Sequence, residues 1–144
     1  MADGIVRTCS ACSSRNRIPT KHLADIGRCG KCKAALPAVF EPIDADPATF
    51  DQIVNSVTVP VLVDFWAAWC QPCRMAAPIV KKVAEQMAGK AVVLKVDTEK
   101  HPSLAARFAV QGIPNFLVLK NGKVAMQQAG LVNEREMLRW LHEA

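Results

Sequence analysis

All six cysteines of this 144-residue chain fall into three Cys-x-x-Cys pairs, Cys9–Cys12, Cys29–Cys32 and Cys70–Cys73. Two intervening residues let both sulfurs turn onto one metal ion, or let the pair open and close as a disulfide. In an exported mini-protein six cysteines would instead suggest three structural disulfides. The start, Met1-Ala2-Asp3-Gly4, carries an acid and leads into no apolar run of signal-peptide type, which points to a cytoplasmic protein. The longest apolar stretch, 57–70, is interrupted by Pro60 and Asp64 and is too short to cross a membrane. Metal binding and redox chemistry are therefore the leading uses of the cysteines.

Sixteen residues separate the first two pairs, the spacing of a tetrahedral all-cysteine zinc site. Cys9, Cys12, Cys29 and Cys32 are accordingly the expected ligands of one structural zinc ion. Two redox pairs, or one set of structural disulfides, are the alternatives. Gly27 and Gly30 are expected to give the second knuckle its turn freedom. Four thiolates saturate the metal, so His22 is read as a surface residue. Residues 1–40 hold seven Lys/Arg against Asp3 and Asp25, whereas residues 41–144 hold eleven charges of each sign. Much of this basicity balances the thiolates, and no aromatic residue accompanies it before Phe40, so a nucleic-acid partner is not expected.

The composition changes at Leu36-Pro37. Residues 1–36 show little periodicity and read as a small zinc-binding module; residues 37–144 read as a regular α/β domain. A β-like run over 38–43 precedes a helix opened by Asp46-Pro47 and carrying Phe50, Ile53 and Val54. The β-branched and aromatic run 59–67 predicts a central strand buried on both faces. Residues 70–87 then show helical spacing, with Met75, Ile79, Val83 and Met87 as the apolar set and Pro78 as a kink. A second buried strand over 91–96, a short helix over 101–108 and a strand over 115–119 follow. Asn121-Gly122 predicts a hairpin to 124–128, and an amphipathic helix over 134–142 buries Met137, Trp140 and Leu141. The order mixes a parallel core with a terminal hairpin.

The third pair, in Trp69-Cys70-Gln71-Pro72-Cys73, lies between the predicted buried strand and the predicted helix. There the N–H groups of a helix start point at the first sulfur and lower its pKa. Cys73 follows by about one helical turn, in position to attack a mixed disulfide formed by Cys70. A zinc knuckle fits badly, because no further pair remains to complete the metal site.

Val63-Asp64-Phe65-Trp66-Ala67 leading into that motif, with Pro78 downstream, resembles the thioredoxin family, whose motif is WCGPC. Lys95 in Leu94-Lys95-Val96-Asp97, Gly112-Ile113-Pro114, the Asn121-Gly122 hairpin and Gly130 extend the similarity over residues 39–144. With the four-cysteine segment, the whole chain resembles the zinc-containing bacterial thioredoxin 2 branch. The resemblance implies a thioredoxin fold, a central mixed sheet flanked by helices, with a zinc-ribbon-like module at its N-terminus. It implies that Asp64 is the buried acid that exchanges a proton with Cys73, with Lys95 as its ionic partner. A carboxyl inside an apolar strand is costly to ionise, so its pKa should rise. By the same resemblance Pro114 is a cis-proline facing the cysteines. Trp69, Gln71, Pro72, Ile113, Pro114 and Gly130 then belong to the substrate surface, and Trp66 to the apolar rim.

Two positions depart from the family pattern. Gln71 stands where Gly is usual, and Asn115 follows Pro114 where Thr is usual. Gln71 adds no charge beside Cys70, so a potential within roughly 30 mV of thioredoxin's, about −270 mV, is expected. The implied activity is reduction of protein disulfides by dithiol exchange, with electrons from an NADPH-dependent thioredoxin reductase and no organic cofactor beyond the redox disulfide. A thiol oxidase or isomerase, and a zinc-dependent redox-sensing or binding module on the same scaffold, are the competing readings.

Overall fold

The computed structural model describes residues 4–144; Met1, Ala2 and Asp3, the start of the expected module, lie outside the described residues. Strands β1 (Ile5–Thr8) and β2 (Arg15–Ile18) form one antiparallel ribbon, and β3 (Gly27–Arg28) and β4 (Ala35–Leu36) a second. A 3-10 turn at Thr20–His22 joins them. Both ribbons carry one Cys-x-x-Cys knuckle and share one hydrogen-bond pattern. The amide of Ser13 donates to the Cys9 carbonyl at 2.9 Å and that of Lys33 to the Cys29 carbonyl at 3.0 Å. The amide of Cys9 donates to Ser14 O, and that of Cys29 to Ala34 O, in the same relation. The left-handed residue in each knuckle is the one after the second cysteine, Ser13 (φ 65°) or Lys33 (φ 67°). Gly27 and Gly30, expected to supply that freedom, do not have positive φ. The tight bend falls just after each cysteine pair rather than between its cysteines.

The main sheet has five strands in the order β5 (Ile43–Asp44), β7 (Val92–Asp97), β6 (Val61–Trp66), β8 (Asn115–Lys120), β9 (Lys123–Ala129). The first three run parallel, and β8 and β9 pair antiparallel. The leading β-run is shorter than the expected 38–43, because Pro42 lacks an N–H for a ladder and only Ile43 and Asp44 pair with β7. The hairpin turns through Asn121 and Gly122, both at positive φ, as a two-residue turn matched to strand twist requires.

Helices cover both faces. On one, α1 (Pro47–Ser56) and α3 (Pro102–Arg107) set Phe50, Ile53, Val54 and Leu104 against Val61, Val63, Phe65, Leu94 and Leu117. On the other, α2 (Gln71–Gln86) and α4 (Glu134–Glu143) set Ala76, Val80, Val83, Met137, Trp140 and Leu141 against Leu62, Val93, Phe116 and Val118. Asp46 caps α1 by accepting from Thr49 N at 2.8 Å, and Asn133 caps α4 by accepting from Glu136 N at 2.9 Å. The buried face of α2 is Cys73, Ala76, Val80, Val83 and Ala84, whereas Met75 is 55% exposed and Ile79 only half-buried. Four-residue steps advance about 40° per repeat around a helix, so the Met75-Ile79-Val83-Met87 series starts off the core face and reaches it at Val83 and Met87, both buried. Pro78 lies within α2, which stays helical from Gln71 to Gln86.

The module does not stand alone. Its own core is small, built from Cys9, Cys29 and Leu36. Leu23, 1% exposed, is part of the large core under α1, and Ile5 and Ile18 pack against that core. Val39 N donates to Leu23 O at 2.9 Å, Thr20 Oγ1 lies 3.0 Å from Ser56 Oγ, and the Arg7 guanidinium hydrogen-bonds Pro37 O. Truncating Leu23 to Ala should therefore cost about 3 kcal/mol. Denaturant unfolding followed by tryptophan fluorescence checks this, because Trp66, Trp69 and Trp140 all report on the larger domain. An unmoved midpoint would show that the two parts fold independently.

Candidate functional site

Cys70 follows β6 across a short turn, in which its amide donates to Ala67 O at 3.1 Å, and becomes the N-cap of α2. Pro72 occupies the first turn of that helix, where a missing N–H costs nothing. The Cys73 amide points at Cys70 Sγ from 3.2 Å. A thiolate at Cys70 is thus solvated by a backbone donor and by the positive end of a 16-residue helix. Cys70 and Cys73 form a disulfide with Cα atoms 5.2 Å apart. Each is only 3% exposed, in a cluster with Ala67 against which Trp66 and Ile113 pack.

Facing them is the segment that enters β8. The Ile113–Pro114 peptide bond is cis, and Ile113 O lies 3.7 Å from Cys70 Sγ. Pro114 O accepts from Gly130 N at 2.8 Å, which draws the end of β9 to the same edge. Gly130 has φ +96°, a conformation that side chains rarely adopt. Trp69 is 66% exposed, and its indole N–H donates to Glu99 Oε1 at 2.6 Å. Sequence reasoning missed Glu99. The signal was Asp97, whose carboxylate accepts from the amides of Glu99 and Lys100 and turns the chain so that Glu99 meets the indole.

Side chains alternate along β6: Val61, Val63 and Phe65 join the α1 core while Leu62 joins the α2 core, so Asp64 lies on the face that α2 covers. Cys73 starts the buried stripe of that helix. Asp64 is 1% exposed, its Oδ1 has no hydrogen-bond partner, and burial pushes its pKa up to about 7 while Lys95 pulls the other way. Lys95 stands opposite Asp64 in the β6–β7 register. Its ammonium lies over the Trp66 ring, 4.5 Å from the centroid, and among the described residues it forms no ion pair within 4.0 Å. Its influence on Asp64 is through-space rather than a contact. Gln71, Trp69, Pro72, Ile113, Pro114 and Gly130 are thus all found around the disulfide or on the facing edge.

The four N-terminal sulfurs make a second cluster, all within 4.8 Å of one another. Cys9 and Cys32 sulfurs are 3.7 Å apart, and those of Cys12 and Cys29 are 3.6 Å apart. A tetrahedral zinc ion with Zn–S near 2.3 Å sets its sulfurs about 3.8 Å apart, so the donor set fits that ion. A backbone hydrogen bond from Cys32, the Asn16 amide and the Lys31 N–H hold the Cys29 thiol down to about 5. Asn16 also accepts from Gly30 N at 2.9 Å, tying the second knuckle to β2. His22, paired with Asp25 at 2.8 Å, is exposed and no part of the cluster.

Comparison with known proteins covers both parts of the chain. The thioredoxin family pattern matches residues 41–143, and a zinc-ribbon pattern described as the N-terminal part of thioredoxin 2 matches residues 8–34. Thioredoxin C-3 of Corynebacterium nephridii is 34% identical over 139 residues, 96% of this chain and 94% of that protein. Thioredoxin 1 of a Nostoc species is 41% identical over 96 residues, 67% of this chain and 90% of its own length. A mutant thioredoxin from Halobacterium salinarum superposes with a TM-score of 0.67 at 30% identity, over 72% of this chain and 89% of that one. With a redox disulfide at a helix N-terminus and the family's pattern over most of its length, the chain belongs to the thioredoxin family and is a thiol-disulfide oxidoreductase that reduces protein disulfides.

Proposed function

We propose that the chain reduces protein disulfides through the Cys70-Gln71-Pro72-Cys73 motif, with Cys70 as nucleophile, Cys73 as resolver and Asp64 as the proton acceptor for Cys73. The observation that carries this reading is the placement of Cys70 Sγ at the N-cap of α2, against the Ile113–Pro114 edge. In the reduced protein, the Cys70 thiolate attacks one substrate sulfur, forming a Cys70–substrate disulfide and expelling the other substrate sulfur as thiolate. Cys73 then passes its proton to the Asp64 carboxylate and attacks Cys70 Sγ. The Cys70–Cys73 disulfide forms, the second substrate thiolate leaves, and two electrons have moved to the substrate. A carboxyl titrating near 7 can both take and return that proton at neutral pH. Trp69, Gln71, Pro72, Ile113, Pro114 and Gly130 form the substrate surface, with Ile113 O beside the Cys70 sulfur. Lys95 tunes Asp64 electrostatically. An NADPH-dependent thioredoxin reductase returns the electrons.

Cys9, Cys12, Cys29 and Cys32 would hold one structural zinc ion, which supplies a cross-link between the two ribbons. Metal analysis of purified protein should give one zinc per chain, falling to near zero in Cys29→Ser, whose knuckle loses a ligand. Stoichiometric zinc in that variant would reject the four-ligand assignment.

The redox assignment is checked by insulin reduction with dithiothreitol. Cys70→Ser should lose turnover entirely, and Cys73→Ser should accumulate mixed disulfides visible by mass. Full turnover by Cys73→Ser would sink the resolver role.

Asp64 also sets a pH dependence of stability. Its folded pKa is raised, so between about pH 4 and pH 7 the folded state binds the proton and the unfolded state does not. Stability contributed by this group therefore declines as pH rises through that window, and above it the full penalty is present. Asp64→Asn should stabilise the protein, with a gain that grows by about 2 kcal/mol between pH 5 and pH 8. A pH-independent difference in denaturant unfolding would mean that the carboxyl has an ordinary pKa.

A further inference from the structure

We propose that Gln127 is a positioning residue for protein substrates: one side-chain amide nitrogen closes both ends of the loop that presents Ile113 and Pro114 to Cys70. The proposal rests on the substrate role given to that loop above. Gln127 lies on β9, an edge strand whose side chains are mostly exposed, and nothing in its sequence context marks it out. Its Nε2 donates to Phe108 O at 2.9 Å and also lies 3.2 Å from Asn115 Oδ1. Phe108 is the last residue of the α3 cap and Asn115 the first of β8. Between them, residues 109–114 include Ala109 at φ 54° and the cis Ile113–Pro114 bond, and they bring Ile113 O to 3.7 Å from Cys70 Sγ.

The two acceptors differ in kind. Phe108 O belongs to a helix end, where carbonyls lack intrahelical partners. Asn115 is 5% exposed, one of three buried polar residues among the described residues, and its amide oxygen needs a donor. Gln127 reaches both because it stands opposite Leu117 in the β8–β9 register, two residues from Asn115 on the same face. The Phe108 ring meanwhile packs against Phe50 and Phe65, centroids 5.6 and 6.1 Å away, so the first end of the loop is fixed to the core. The other side of the loop is held by Gly130 N on Pro114 O. Removing the Gln127 donor frees the loop relative to β9 while leaving Cys70, Cys73 and Asp64 untouched. A protein disulfide, which pairs along the loop, should sense this; a small disulfide, which needs only the sulfur, should not.

The test is steady-state kinetics of Gln127→Glu and Gln127→Lys against the unaltered chain. Each is assayed on insulin and on 5,5′-dithiobis(2-nitrobenzoate), alongside the potential of the Cys70–Cys73 couple. Glu keeps the length but offers no donor and sets a carboxylate against two oxygens. Lys retains a nitrogen donor of similar reach. The expected result is a KM for insulin raised about fivefold or more in Gln127→Glu, the loss of one to two hydrogen bonds, with kcat, small-disulfide rate and potential unchanged. Gln127→Lys should stay within about twofold of the unaltered chain. An unchanged insulin KM in Gln127→Glu, an equal loss on both substrates, a shifted potential, or an equal loss in Gln127→Lys would overturn the proposal. An unaltered chain that reduces the small disulfide but not insulin would overturn the reductase reading itself, and the proposal with it.

Discussion

The register of β6 between two unlike neighbours places every reactive group of the redox centre. On one side β6 pairs in parallel with β7, Asp64 against Lys95 and Trp66 against Asp97; on the other it pairs antiparallel with β8, Phe65 against Asn115. The C-terminal end of β6 therefore lies beside the start of β8, and the turn out of one meets the loop into the other. Cys70 comes from the first and Ile113–Pro114 from the second. A one-residue slip would turn Asp64 toward the α1 core and Phe65 toward α2, so the hydrophobic sides of both cores hold the register. The sheet thus fixes the site before any polar contact in it is made.

The module that carries the four-cysteine cluster meets the larger domain away from the redox pair. It touches the last residue of α1 through Thr20 and Ser56, and Ala24 O lies 3.6 Å from where a Cβ on Gly89, just beyond α2, would be. Cys70 is at the opposite end of α2, about 24 Å away along a 16-residue helix. The zinc ion proposed there would act locally: it would tie together two knuckles with matching hydrogen bonds, in a module whose ribbons are too small to bury a core and from which Leu23, Ile18 and Ile5 reach the main core. Small modules of this size need such a cross-link.

Much of this was legible in the sequence because spacing and polarity are local signals. The knuckles, the β6–α2 junction, the hairpin and the order of strands and helices all follow from periods of two, from helical periodicity and from turn residues. The buried face of α2 was misread because its packing residues are small, Ala76 and Ala84, while Met75 looks like core and points outward. Backbone geometry was harder still: glycines advertise positive φ, yet in the knuckles Ser13 and Lys33 adopt it. Asp64 was visible as an acid in an apolar strand, but Lys95 was expected as a salt-bridge partner, and its place over Trp66 depends on a neighbouring strand. Glu99 carries only the turn signal of Asp97, and Gln127 no local signature at all. Their partners lie 30 and 12 or 19 residues away, and only the folded sheet brings them together.

Asp64 and the α2 N-terminus act on the redox pair with opposite sign, and the balance explains why a costly buried acid is useful here. The helix end and the Cys73 amide favour negative charge at Cys70 in every protonation state. An ionised Asp64, on the face that α2 covers, opposes a further negative charge on the buried side of that helix. With no hydrogen-bond donor on Oδ1 and Lys95 diverted to the Trp66 ring, nothing nearby holds the carboxylate ionised as a salt bridge would. A close Lys95–Asp64 contact would drop the acid toward the ordinary carboxylate range and leave it a poor proton donor at neutral pH. Burial raises the acid to about 7 against the weaker pull of Lys95, which under the proposed mechanism is the range where a proton can pass to and from Cys73.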